Sequence, residues 1–200
     1  MDNRKGMLLV ISGPSGVGKG EMVKAIMAED DSLVFSVSAT TRARRDYEQE
    51  GVHYYFKTME EYKRLVSEDA FVEYAEVYGN HYGTLKSEVY QRMEKGQNVV
   101  LDIDSQGAMM VLEKMPECVS IFLLPPSYKE LRRRLEGRGT ESAETVEGRM
   151  AKAAREISRK DRYEYIVVND NFDEALSQVR AIIAAEKHKR TRFNPDVPQE

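Results

Sequence analysis

The chain has 200 residues, enough for one domain or one core with a smaller insertion and too few for two independent cores. Apolar residues at 41% and charged residues at 32% describe an ordinary globular protein, and a formal net charge of −4 gives no reason to expect nucleic acid as a partner. The single cysteine, Cys118, excludes an intrachain disulfide and a cysteine metal cluster. No signal-peptide run or stretch of ~20 apolar residues is present, so the expectation is a cytoplasmic protein with no membrane span.

In chain order, Met7 to Ser12 is the first short apolar run and predicts a strand. It leads into the glycine-rich Gly13-Pro14-Ser15-Gly16-Val17-Gly18-Lys19-Gly20 and then a helical pattern from Met22 to Met27. Leu33 to Ser38 predicts a second strand, followed by hydroxyl residues and three arginines, Arg42, Arg44 and Arg45. From about Val52 to Gly83 the pattern changes. His53 to Phe56, Phe71 to Val77 and Tyr82 are aromatic and alternating around a helical Met59 to Ser67, which predicts a small, largely antiparallel insertion. Asn98 to Asp104, Val119 to Leu124 and Tyr165 to Val168 are continuous apolar runs, the pattern of parallel strands covered by helices on both faces. Between the last two lie helical Tyr128 to Leu135, a charged, Gly-rich Glu136 to Glu144 read as a mobile flap, and a helix from about Ala143 to Arg159. The basic stretch Lys187 to Arg192 reads as a solvated helix end and a frayed terminus.

Three groups of residues carry chemistry. A strand, the loop Gly13 to Lys19 and a helix converge backbone N–H groups and a positive helix end on one point, where phosphates bind. The glycines permit close approach, and Lys19 can reach β- and γ-phosphates. Where Ser or Thr is expected after the lysine stands Gly20, and Glu21 adds a carboxylate to the first helical turn. The arginines after the second strand lie where the carboxyl ends of parallel strands gather ligands, and their planar forks suit a second phosphate group. Asn98 to Asp104 ends in two carboxylates, Asp102 and Asp104, which point to the same side if the strand alternation continues. Such an acidic strand end helps to hold Mg²⁺ in P-loop enzymes.

The stretches SGPSGVGKG, FSVSATTRARR, GVHYYF, FVEYAEVYGNHYGT, VVLDIDSQGA, LRRRLEGRGTES and YIVVND, in this order, resemble the guanylate kinases. The resemblance covers nearly the whole chain. It implies an α/β fold: a P-loop NTPase-like parallel sheet flanked by helices (1–38 and 84–200), with a small mixed α+β GMP-binding insertion (39–83) and a mobile lid (about 136–147). It also implies an enzyme that moves a phosphate from ATP to GMP with Mg²⁺. Arg42, Arg45, Tyr54 and Tyr82 are then implied at the GMP phosphate, and Ser38, Glu73, Thr84 and Asp104 around the guanine. Guanine presents N1–H and an amine as donors, which suit Glu73, and the acceptors O6 and N7, which suit the hydroxyls. The phosphate loop, with Arg134 and Arg138, is implied at ATP, Arg149 closes from the following helix, Asn169 lies near adenine, and Asp102 is the candidate for Mg²⁺ through water. Two alternatives are an inactive, guanylate-kinase-like module that binds a phosphorylated partner, and a kinase for another nucleoside monophosphate.

Overall fold

Leu8–Ser12 is buried at every position, so β1 has no solvent face and must sit mid-sheet with helices on both sides. The computed structural model describes residues 5–77, 79–137 and 143–195. After β1 come α1 (Lys19–Glu29), β2 (Leu33–Phe35), β3 (Ser38–Thr40), β4 (Tyr55–Phe56), α2 (Met59–Ser67), β5 (Phe71–Val77) and β6 (Asn80–Leu85). Then follow α3 (Lys86–Glu94), β7 (Asn98–Asp102), α4 (Ser105–Lys114), β8 (Val119–Leu124), α5 (Tyr128–Glu136), α6 (Ala143–Ile157), β9 (Tyr165–Val168) and α7 (Phe172–Lys187).

The larger sheet is parallel throughout, in the order β2-β7-β1-β8-β9. Alternation divides β1 between two cores. Leu9 and Ile11 pack with Met22 and Ile26 of α1 and Val179 and Ile183 of α7, while Leu8 and Val10 pack with Val89 of α3, Val111 of α4 and Phe122. Both faces are therefore apolar, which is why the run reads as continuous rather than alternating. Cys118 is buried just before β8, and burial pushes its thiol up to about 12. Among the described residues no helix is long and apolar enough to cross a membrane.

The second sheet, β4-β3-β6-β5, is antiparallel except for its β3–β4 pair. α2 covers it, started by a capping box in which Thr58 and Glu61 bond each other's backbone N–H. The small core is Tyr62, Phe71 and Ala39, with Tyr62 and Phe71 rings 5.0 Å apart.

One expectation is corrected and one is qualified. Leu33 to Ser38 is not one strand: β2 pairs with β7 and ends at Phe35, and β3 begins at Ser38 and pairs with β6. The chain leaves one sheet for the other at this point, a change of partners that apolar content does not encode. The basic stretch from Lys187 is exposed from His188 to Thr191, as a solvated helix end would be, but some of its cations are tied down. Lys187 donates to Asp30 and, at 2.7 Å, to Ser32, while Lys189, Arg192 and the Tyr165 hydroxyl converge on Glu186, which is 2% exposed. A buried carboxylate requires such partners, so the basic residues fold back onto it.

At the start of β7, buried Asn98 accepts from the Met7 N–H at 3.1 Å and donates to Ser32 Oγ at 2.8 Å, tying β1 to the end of α1. Asn98→Ala leaves the Met7 donor unpaired and should cost about 1–3 kcal/mol of stability, read from urea unfolding midpoints.

Candidate functional site

The phosphate loop begins where β1 ends. Gly18 has φ 97°, and a Cβ there would stand 2.7 Å from Asn169 Nδ2, so only glycine fits. A Cβ on Gly13 would meet the Leu123 carbonyl at 2.5 Å. The loop is braced from below, with Val17 fully buried and its carbonyl accepting from Asn169 Nδ2 at 2.7 Å. Pro14, Ser15, Gly16, Gly18, Lys19, Gly20, Glu21 and Asp102 line a cavity of about 230 Å³.

Lys19 Nζ donates to the Gly13 carbonyl at 3.2 Å and lies 3.9 Å from Asp102 Oδ1. The register pairs Ile11 with Asp102, which puts this carboxylate beside the loop's origin. Burial pushes the Asp102 carboxyl up and Lys19 pulls it back. A Cβ on Gly20 would have Asp102 Oδ2 as its nearest neighbour, at 3.9 Å, so the missing hydroxyl reflects no lack of space. Glu21 turns outward: its side chain is 73% exposed and pairs with Lys24 at 3.2 Å.

Across the cleft, the registers Ser38↔Thr84 and Glu73↔Thr84 place three polar side chains in one row over β3, β6 and β5. Thr84 Oγ1 donates to Glu73 Oε1 at 2.6 Å. Burial raises the Glu73 carboxyl above its usual range, and the Thr84 bond opposes this. Asp104 closes the row from the start of α4, accepting there from the N–H groups of Gln106 (3.0 Å) and Gly107 (3.1 Å). Burial acts to raise the Asp104 carboxyl, but the Gly107 N–H and Lys152 prevail and hold it low.

β7 ends at Asp102, and Asp104, still in an extended conformation, is the cap of α4. Asp102 lies 3.9 Å from Lys19, and Asp104 lies 3.3 Å from Lys152.

The arginine loop follows β3. Arg42 lies 5.4 Å from the Tyr54 ring centroid, and the Tyr54 and Tyr82 rings are 6.0 Å apart. Arg45 donates to the Tyr47 hydroxyl at 2.8 Å. Arg134 of α5 bonds Glu130 at 2.8 Å and the Asn169 carbonyl at 2.9 Å, beside the brace of the phosphate loop. The other two arginines of α5 point elsewhere, Arg132 to Glu147 and Arg133 to Glu130. Arg149 is on α6, whereas Arg138 and residues 138–142 of the expected lid lie outside the described residues.

Sequence reasoning missed Glu48. It is buried, receives both arms of the Arg42 fork (2.6 and 3.1 Å) and accepts from the Arg45 backbone N–H at 2.8 Å. The available signal was a carboxylate three residues after Arg45 and six after Arg42 on one turn-rich loop. Arg42 and the Arg45 N–H hold the Glu48 carboxyl down at about 2 from an ordinary 4.5. A depressed carboxyl stabilises the fold above its ordinary value, and that contribution is lost as pH falls toward about 2. Thermal melts between about pH 4.5 and 2 should therefore fall less steeply for Glu48→Gln than for the unmodified chain.

A sequence model of the family described as guanylate kinase matches residues 5–186. The guanylate kinase of Caldanaerobacter subterraneus subsp. tengcongensis is 50% identical over 92% of this chain and 89% of its own length. That of Clostridium acetobutylicum is 48% identical over 98% of this chain and 93% of its own length. Among solved structures, the guanylate kinase of Anaplasma phagocytophilum aligns with a TM-score of 0.68 at 38% identity, covering 96% of this chain and 92% of that one. The SH3-kinase fragment of tight junction protein 3 aligns at 12% identity with a TM-score of 0.52, a likeness of fold alone. The parallel sheet, its phosphate loop and the near-complete matches make this chain a member of the guanylate kinase family.

Proposed function

We propose that the protein transfers the γ-phosphoryl group of ATP to GMP, giving ADP and GDP. The observation that carries this reading is the row of Ser38, Thr84 and Glu73, closed by Asp104, in a chain whose phosphate loop presents Lys19. A phosphate-binding loop and a polar row that suits guanine thus belong to one protein. The insertion 39–83 serves as the acceptor-binding unit, and the core 1–38 and 84–200 carries the phosphate loop.

The Glu73 carboxylate, held by the Thr84 hydroxyl, accepts from guanine N1–H and the exocyclic amine, and the Ser38 hydroxyl donates to the O6 and N7 edge. Adenine reverses much of this pattern and would leave a buried carboxylate unpaired. The GMP phosphate lies against Arg42, Arg45, Tyr54 and Tyr82. Glu48 holds the Arg42 fork in place before the substrate arrives, so little ordering remains to be done on binding.

No general base is needed, since a phosphate monoester with a second pKa of about 6 is already largely dianionic at neutral pH. Catalysis then consists of aligning two anions and offsetting their charge. Lys19 stands at the donor phosphates with the loop N–H groups, and Arg134 and Arg149 add cations from α5 and α6. Arg138 enters on the sequence resemblance alone. Asn169 spends one amide N–H on Val17, so it supports the loop beneath ATP and keeps its oxygen and second N–H for a base.

Among the described residues no cluster of three metal-binding side chains exists, which fits an ion carried by phosphate oxygens and water rather than caged by protein. Asp102, 31% exposed and, among the described residues, ion-paired with Lys19 alone, fits Mg²⁺ through water. The ion, when bound, would neutralise charge on the β- and γ-phosphates. The buried Cys118 thiol supports a reducing, cytoplasmic setting.

The test is ADP release from Mg-ATP with a panel of nucleoside monophosphates. GMP should be strongly preferred, and Glu73→Gln should lower kcat/KM for GMP by about tenfold or more while ATP affinity stays within about twofold. Equal losses for both nucleotides would make Glu73 structural. Since Glu21 faces solvent, Glu21→Thr should tighten Mg-ATP only by about twofold in calorimetry, the scale of a screened surface charge.

A further inference from the structure

On α6, Lys152 and Glu156 are one turn apart, and Arg159 follows just beyond the helix, so all three face the start of α4. They, with Arg155 of the same helix and Asp104, Ser105 and Gln106 opposite, line a cavity of about 270 Å³. Lys152 Nζ stands between two carboxylates, 3.3 Å from Asp104 Oδ2 and 3.8 Å from Glu156 Oε1. Arg159 reaches the Ser105 hydroxyl at 3.4 Å and holds the end of α6 against α4.

Glu156 is the unexplained member. It is 5% exposed, yet its Oε2 has no hydrogen-bond partner among the described residues. A buried carboxylate oxygen without a donor is costly, and it persists where another state of the molecule supplies one. Burial pushes the carboxyl up, Lys152, Lys19 and Arg159 pull it down, and Asp104 adds to the rise. Burial prevails, and the carboxyl is held above its ordinary range.

We infer that Lys152 is handed from Asp104 to Glu156 when GMP binds, making Glu156 a positioning residue that frees Asp104 for the guanine. The inference rests on the reading of Asp104 as a guanine ligand. Asp104 spends Oδ1 on the cap of α4, so Oδ2 is the oxygen left for a ligand, and Lys152 occupies it. A base donor arriving at Oδ2 must displace the ammonium. The Lys152 side chain is 58% exposed and can be met by water when it leaves Asp104, but the Glu156 side chain, within 3.8 Å on the same helix and 6% exposed, needs a donor and offers both oxygens. The exchange conserves charge pairing, and the orphaned oxygen gains its donor in the bound state.

The test is GMP affinity by calorimetry on the whole chain for Asp104→Asn, Glu156→Gln and Glu156→Gln combined with Lys152→Met, with ATP affinity and thermal midpoint measured alongside. Asparagine still caps a helix, so Asp104→Asn should fold and should weaken GMP. Glu156→Gln should weaken GMP about five- to tenfold and leave ATP unaffected, because Lys152 then stays on Asp104. Removing Lys152 as well should restore most of that loss, a non-additive rescue that a merely structural glutamate would not show. Unchanged GMP affinity in Asp104→Asn would overturn the guanine placement and the hand-over with it. A loss there with none in Glu156→Gln, or a double variant no better than the single, would overturn the hand-over alone. If Glu156→Gln does not fold, Glu156→Asp keeps the charge at shorter reach and should give a smaller loss, again relieved with Lys152→Met; an Asp loss that persists in that pair overturns the hand-over.

Discussion

Everything in the site depends on β1 being held between β7 and β8 with both faces buried. The pairing of Ile11 with Asp102 on one side and Ser12 with Phe122 on the other sets the ends of β1 and β7 side by side, with β8 running on to Leu124. The phosphate loop, the Asp102 carboxylate and the strand end before Asn169 are consequences of that alignment. A slip of one residue would exchange the two apolar faces of β1 and move Asp102 away from Lys19, so packing and chemistry are enforced by the same register.

Around this fixed edge the charged groups are held by partners before any substrate arrives. Glu48 grips Arg42, Glu130 grips Arg134, Gly13 receives Lys19 and Glu73 receives Thr84. Groups already oriented lose little freedom when a phosphate or base replaces solvent, and in a partly dry cleft their fields act with less screening. The arrangement also separates tasks. Glu73 and Asp104 carry opposite pKa shifts, because Glu73 is desolvated with one hydroxyl for company while Asp104 is surrounded by helix N–H groups and Lys152.

Glu21 illustrates how a departure from an expected pattern can be absorbed. The first turn of a helix favours a carboxylate, and pairing with Lys24 draws this one toward solvent and away from the loop interior. Gly20, for its part, stands next to open space on the Asp102 side. The loop retains its lysine, its glycines and its anion-binding geometry.

The sequence alone determined the layered α/β class, the five core strands by position, the insertion and its helix, and the glycine loop with Lys19. Each is written in local terms: runs of β-branched residues, a helical period in Met59–Ser67, and a strand–glycine–helix junction. Partnership was not legible. That Leu33 to Ser38 belongs to two sheets, that Asp104 caps a helix instead of continuing a strand, and that the basic tail folds onto Glu186 are all set by contacts between residues distant in the chain. Glu48 and Glu156 were invisible for the same reason. A charged residue in a loop or on a helix reads as solvated until tertiary packing buries it, and only burial forces it to choose a partner.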